Sequence, residues 1–252
     1  MKENNVHEGH RSRLKERFIE DGIDNFEPHN VLELLLFYSI PRKDTNEIAH
    51  DLLRNFGSLQ GVFDADFADL IKVDGIKENS ATLLKLIPSI ARAYATGKYS
   101  TNCILNTAEK VGEYLLDKYV GETNEITYLL LLNNRFELID TVKLHEGSVN
   151  SSLISPRKII DYTIKHNASM IILAHNHPNG TAFPSMEDVN TTNDLFYILS
   201  TLDIKLIEHF VVSKNDYYPI IHSTESLRMA CKDNRDFFRQ TLEEQKKFNK
   251  AK

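Results

Sequence analysis

Apolar positions recur at helical spacing through the first hundred residues. Pro41 and Gly57 stand where two of these amphipathic segments would stop. The predicted helices cover residues 11–20, 31–38, 45–56, 67–72 and 79–95. The pattern therefore predicts an all-α module over residues 1–98, followed by a linker at residues 99–106.

Beyond residue 107, short apolar runs typical of strands alternate with amphipathic helices. The predicted helices are 108–119, 156–166 and 185–199, and the predicted strands are 125–132, 136–144, 170–177, 204–212 and 217–221. Asn133-Asn134 indicates a hairpin turn between the first two strands, the first of which is predicted to be buried at its C-terminal end. This alternation predicts a mixed sheet flanked by helices at residues 107–226, and thus an α+β protein with a charged helical tail at residues 227–252.

Residues that could bind a metal ion lie at the end of the third predicted strand. Met170–Ala174 is an apolar run, and His175 and His177 follow it at positions i and i+2. Alternate side chains of a strand point to the same face, so both imidazoles would face one side of the sheet and Asn176 the other.

A helix that begins at Ser185 would bring a carboxylate to the same place, because Asp188 lies in its first turn. Two imidazoles and one carboxylate form an open three-ligand zinc set, with water in the fourth position and its pKa lowered to about 7. The alternative for Ser185-x-x-Asp188 is a capping box that only closes the helix N-terminus. The two roles are compatible, because a capped helix would hold Asp188 in place.

The pattern His175-x-His177-x7-Ser185-x2-Asp188 resembles the JAMM signature of the MPN (JAB) zinc metalloproteases. The surrounding segments resemble, more narrowly, the bacterial RadC-like (UPF0758) proteins, over about residues 7 to 226; they are residues 155–158, 173–180 and 208–212. The resemblance implies a helical module before an α/β/α MPN domain whose sheet is related in shape to that of the cytidine deaminases. It also implies Zn²⁺ as cofactor and a peptide or isopeptide bond of a peptide or protein substrate as the target.

The resemblance further implies two catalytic residues. Glu125 would act as the base, since it comes one residue before an apolar strand as in the family pattern, and Ser185 would donate a hydrogen bond to the oxyanion. Glu137 and Glu146, on the predicted hairpin, are the alternatives for the base.

The first module supports a second hypothesis. Residues 70–76 followed by Ala81 and Leu84 resemble a helix-hairpin-helix, which binds DNA phosphates through backbone N–H groups at a Gly-x-Gly turn. Lys77 occupies the second glycine position, and residues 1–98 contain 13 Lys and Arg against 16 Asp and Glu. The alternatives to a zinc hydrolase are therefore a DNA-associated, repair-linked protein and a metal-stabilised binding module without turnover.

Composition narrows these classes. A net charge of −6 over 252 residues argues against a protein that mainly coats nucleic acid. Cys103 and Cys231 stand far apart, which favours a reducing compartment, and no apolar leader or run of about 18 apolar residues is present. We therefore expect a cytoplasmic protein without a membrane partner.

A zinc deaminase would need His-x-Glu and Pro-Cys-x-x-Cys, which this chain lacks. His166 and His209 are expected to pack or to support the site rather than to bind metal.

Overall fold

The computed structural model describes residues 3–99, 103–147 and 154–230, with the side chains of residues 3–8 and 230 excepted. The chain divides into two compact units, Met1–Ala91 and Arg92–Lys252. The linker and domain boundaries inferred from the sequence remain predictions. Beyond residue 230, the predicted charged tail lies outside the described residues.

The first unit is helical throughout its described part. Its helices are α1 (Glu3–Asp21), α2 (Pro28–Ser39), α3 (Asn46–Phe56), α4 (Leu59–Asp64), α5 (Phe67–Leu70) and α6 (Glu78–Thr96), the last of which continues into the second unit. The sequence pattern did not predict α4, a short helix that begins where the Ser58 hydroxyl accepts a hydrogen bond from the Gly61 N–H.

A tight turn joins α5 to α6 in the segment that resembles a helix-hairpin-helix. Gly75 has φ = +84° there, a left-handed conformation that favours glycine. A Cβ at this position would also lie 2.6 Å from Cδ1 of Ile48, so the turn packs directly on α3. The core of this unit contains the fully buried side chains of Leu32, Leu52 and Leu84.

In its described residues, the second unit is a five-stranded sheet with helices packed against it. In chain order its elements are α7 (Ala108–Lys118), β1 (Ile126–Leu132), β2 (Leu138–Glu146), α8 (Pro156–Lys165), β3 (Met170–Asn176), α9 (Met186–Ser200), β4 (Lys205–Val212), β5 (Tyr217–Pro219), α10 (Ile220–Ser223) and α11 (Glu225–Ala230). The spatial order of the strands is β2-β1-β3-β4-β5.

The sheet is mixed, which confirms the predicted α+β class. Strand β3 lies at its centre, antiparallel to β1 and parallel to β4. The β1–β3 register sets Thr127 opposite His175, so the start of β1 lies beside the end of β3. At the outer edge of β2, the Leu105 N–H donates to Phe136 O and the Leu138 N–H donates to Cys103 O.

Two details of the sheet differ from the sequence prediction. Strand β1 is buried over all seven residues rather than only at its C-terminal end, because it lies between β2 and β3. Strand β5 ends at Pro219, where a strand was predicted to continue to residue 221. The backbone N–H groups of Ile221 and His222 instead donate to the buried carboxylate of Glu208, which starts α10 in place of a longer strand.

The described residues contain no helix that combines the length and apolar character needed to cross a membrane.

Candidate metal centre

Three potential metal ligands meet where β3 ends and α9 begins. The Nε2 atom of His175 lies 3.2 Å from Nε2 of His177 and 3.2 Å from Oδ1 of Asp188. The Nε2 atom of His177 lies 3.8 Å from Oδ2 of Asp188. Ligands held about 2.0–2.1 Å from a tetrahedral zinc ion would be roughly 3.4 Å apart, so the donor set fits such an ion. Among the described residues, this trio is the group of histidine, cysteine and acidic side chains close enough to share a metal ion.

The backbone around His177 explains how two histidines come to face one point. The last residue of β3 is Asn176, but the His177 N–H still donates to Val212 O at 2.7 Å, which carries the extended geometry one residue further. His175 and His177 therefore share a face, as their i, i+2 spacing predicts. The Nδ1 atom of His177 lies 3.0 Å from Thr181 O and directs Nε2 toward the other ligands.

The position of Asp188 allows both roles considered for the Ser185-x-x-Asp188 segment, which are a helix cap and a metal ligand. A capping box is formed: the Ser185 N–H and hydroxyl donate to Oδ2 of Asp188, and the Asp188 N–H donates to Oγ of Ser185. These bonds leave Oδ1 directed at His175. Burial raises the pKa of Asp188, but hydrogen bonds from His175 and Ser185 outweigh it, so the pKa lies below its usual range.

The three ligands line a cavity of about 240 Å³. Its other lining residues are Glu125, Ile154, Ser185, Glu187, Thr191 and His209. The cavity is therefore lined by the three candidate ligands and by Glu125 and Ser185, the residues to which the resemblance gives catalytic roles.

Of the three candidate bases, Glu125 is the one that lines the cavity. Glu137 lies at the hairpin turn, where its carboxylate accepts a hydrogen bond from the side chain of Asn133. Glu146 pairs with Lys143 on the exposed surface of β2. The position of Glu125 supports it as the base, although its catalytic role remains a prediction.

Asn176 fixes the backbone on both sides of Glu125. Its Oδ1 accepts from the Ile126 N–H at 2.7 Å, and its Nδ2 donates to Asn124 O at 3.0 Å. Asn176 is 4% exposed, and the alternation of side chains along a strand assigns it to the face opposite the two histidines. No function was expected for this residue from the sequence, yet it joins the metal-ligand strand to the segment that carries the candidate base.

His209 contacts the site through His175 rather than as a fourth ligand. Its Nε2 lies 2.9 Å from Nδ1 of His175, and its Nδ1 lies 2.6 Å from Oγ1 of Thr192. Burial lowers the pKa of His209 well below its ordinary value, which keeps the ring neutral. By contrast, His166 bonds to Tyr162 O and lies 3.2 Å from Asp140, and it is not among the residues that line the cavity.

Comparison with known proteins agrees with this geometry. Residues 105–226 match the model of the RadC-like JAB domain. The chain is also 39% identical over 223 residues to the UPF0758 protein FN0909 of Fusobacterium nucleatum subsp. nucleatum, in an alignment that covers 85% of this chain and 95% of the relative. The chain belongs to the RadC-like UPF0758 family. Its RadC-like JAB domain contains all five strands and the His175, His177 and Asp188 group, in keeping with the JAMM signature.

Proposed function

We propose that this protein is a JAMM-type metallohydrolase that uses zinc to cleave peptide or isopeptide bonds. The observation that carries the proposal is the convergence of His175, His177, Asp188 and Glu125 on one cavity inside a JAB-type domain. A metal-stabilised binding module would need the ligands, but it would not need a carboxylate beside them.

The residues present suit hydrolysis of an amide. His175, His177 and Asp188 would hold the ion, which supplies a Lewis acid that lowers the pKa of water to about 7. Glu125 would accept one proton from the attacking water and return it to the leaving nitrogen, so that water and amide yield an acid and an amine.

Ser185 would stabilise the negative charge that develops on the carbonyl oxygen of the substrate. Its hydroxyl donates to Asp188 Oδ2 in this structure, so the hydroxyl has to rotate about its Cβ–Oγ bond to reach an oxyanion. The rotation leaves Oγ in place, so both bonds of the capping box remain: the Ser185 N–H still donates to Oδ2 of Asp188, and the Asp188 N–H still donates to Oγ of Ser185.

The first experiment measures metal content in purified wild type, Asp188→Ala and Ser185→Ala. We expect about one zinc ion per chain in the wild type and in Ser185→Ala, and little in Asp188→Ala. Of the two mutated residues, only Asp188 supplies a ligand atom. Ser185→Ala is the matched control, since it weakens the same helix cap and leaves the ligand. A wild type that takes up no metal on reconstitution would refute the proposal.

The second experiment measures hydrolysis of a panel of peptides and isopeptide-linked peptides. Glu125→Gln should bind zinc as the wild type does and lose at least about 100-fold in rate, because general base catalysis contributes about 10²–10⁴-fold. Wild-type zinc content and undiminished turnover in Glu125→Gln would exclude this residue as the base. Absence of turnover across the panel in a zinc-loaded wild type would favour the binding module instead.

DNA binding by the first unit remains the alternative, with less support. The cavity beside the α5–α6 turn is lined by the carboxylates of Asp51, Asp69 and Asp74, which repel phosphate, together with Lys72. DNA binding would show a steep dependence on salt and would weaken in Lys77→Glu. The cytoplasmic location inferred from the two cysteines also stays a prediction.

A further inference from the structure

Two buried side chains outside the ligand set connect one candidate ligand to another. The Thr192 hydroxyl donates to the backbone oxygen of Asp188 at 2.6 Å, and it also lies 2.6 Å from Nδ1 of His209. His209 then reaches Nδ1 of His175 through its own Nε2, at 2.9 Å. Thr192, His209 and His175 are 0%, 1% and 2% exposed, so solvent does not compete for these contacts.

The direction of each hydrogen bond from Thr192 to His175 follows from the backbone oxygen of Asp188, where the series begins. A backbone carbonyl oxygen can only accept, so the single hydroxyl proton of Thr192 points to Asp188 O. The Thr192 oxygen is therefore the acceptor toward His209, and the proton of that contact sits on Nδ1 of His209. The unprotonated Nε2 of a neutral His209 then accepts from Nδ1–H of His175.

We infer that Thr192 and His209 are positioning residues that keep a proton on Nδ1 of His175, so that Nε2, which lies 3.2 Å from Oδ1 of Asp188, is the atom left to bind metal. This inference rests on the metal site of the proposed function, but not on hydrolysis. The proton on Nδ1 of His177 is fixed more directly, because this atom lies against Thr181 O, a backbone oxygen that can only accept. One ligand is thus set by a backbone carbonyl directly, and the other through the Thr192–His209 pair.

Removal of the Thr192 hydroxyl should reverse the arrangement. In Thr192→Val, Nδ1–H of His209 would face a methyl group and be left as a buried donor without an acceptor, which is unfavourable. His209 would avoid that cost by moving its proton to Nε2. It would then donate to Nδ1 of His175, and the proton of His175 would be placed on Nε2, where the metal has to bind.

The test measures the tautomers directly, by long-range ¹H–¹⁵N correlation of the histidine rings in metal-free protein. Wild type and Thr192→Ser, which keeps the hydroxyl, should show Nδ1–H for both His175 and His209. Thr192→Val should show Nε2–H for His209 and an unprotonated Nδ1 for His175. Zinc and cobalt dissociation constants should be unchanged in the serine variant and about 10–100-fold weaker in the valine variant, the usual effect of losing a partner behind a metal ligand.

Two outcomes would overturn the inference: an unprotonated Nδ1 of His175 in the wild type, or a valine variant whose ring protonation and zinc affinity match the wild type. The wild-type spectrum alone decides the first, even if the valine variant does not fold. Because the tautomers are read without metal, they test the positioning residues independently. A wild type that binds no metal would instead contradict the proposed function.

Discussion

At the scale of single residues, Asn176 belongs to the same motif as the candidate ligands but has a different structural role. It stands between two candidate ligands, yet both of its hydrogen bonds go to the backbone around Glu125. We expect Asn176→Asp to set a carboxylate oxygen against the carbonyl of Asn124. The free energy of unfolding should fall by about 1–3 kcal/mol, because a buried hydrogen bond is lost.

The same variant should lower hydrolysis more than it lowers zinc binding, since Glu125 is displaced while the three ligands stay. Chemical denaturation, zinc content and turnover would be measured side by side. Asn190→Asp, an exposed change of the same chemistry on α9, is the control and should leave all three unchanged. Equal losses in the two variants would show that Asn176 does not position the base.

The candidate ligands could be predicted from the sequence because two histidines and an aspartate at fixed spacing are enough to suggest a metal set. Thr192 was not singled out, and although His209 was expected to pack or to support the site, the ligand it contacts could not be predicted. They lie on α9 and β4, and a sequence does not state which side chain of a helix meets which side chain of a strand. Only their contacts reveal that they connect to His175.

At the scale of elements, Glu208 determines where β5 gives way to α10. Its carboxylate accepts from the backbone N–H groups of His209, Ile221 and His222, two of which belong to α10. Burial raises the pKa of Glu208 to about 8, from an ordinary value of 4.5, while those backbone hydrogen bonds act in the opposite direction. The folded protein therefore holds a proton on Glu208 that the unfolded chain releases.

This difference predicts a pH dependence of stability. The contribution of Glu208 should be complete below about pH 4.5 and lost as the pH rises through about 8, because only the unfolded chain is ionised in that window. Denaturant unfolding of wild type and Glu208→Gln would be compared from pH 5 to 8. The glutamine cannot ionise, so the stability of the wild type should fall relative to the variant across this range. Parallel curves would contradict the prediction.

Most elements were predicted because their apolar spacing is regular, whereas the end of β5 depends on a contact distant in sequence. The residues of β5 and α10 have the apolar and aromatic character of a single strand. Helix rather than strand forms at Ile220 because Glu208, twelve residues earlier, offers the acceptors for the next two N–H groups. Nothing local in residues 217–221 reveals that carboxylate.

At the scale of the whole molecule, the metal site lies entirely within the second unit. A ligand that binds only the folded state stabilises it, by about 4 kcal/mol at a concentration 1,000 times its dissociation constant. Zinc should therefore increase amide-exchange protection in β1, β3 and α9, and leave α2 and α3 unchanged. Asp188→Ala should show no zinc-dependent protection. Increased protection in α2 and α3 would show that zinc binding also stabilises the first unit.

The division of the chain into a helical part and a mixed-sheet part could be predicted, since the spacing of apolar residues changes from helical to strand-like near residue 107. The site within the sheet could be predicted only in part. Glu125 was chosen by resemblance from three glutamates on the predicted hairpin, because the register that decides among them is a property of strand pairing.

The register between β1 and β3 restricts where residues can be inserted in this chain. If the pairing of Thr127 with His175 is continued, Glu125 comes opposite His177, across a boundary between two antiparallel strands. Insertion of one residue at the start of β1 would turn the carboxylate to the other face of the sheet. Two inserted residues would restore the face but move the carboxylate by about 7 Å. We therefore expect the strand that carries the base to tolerate substitution but not insertion.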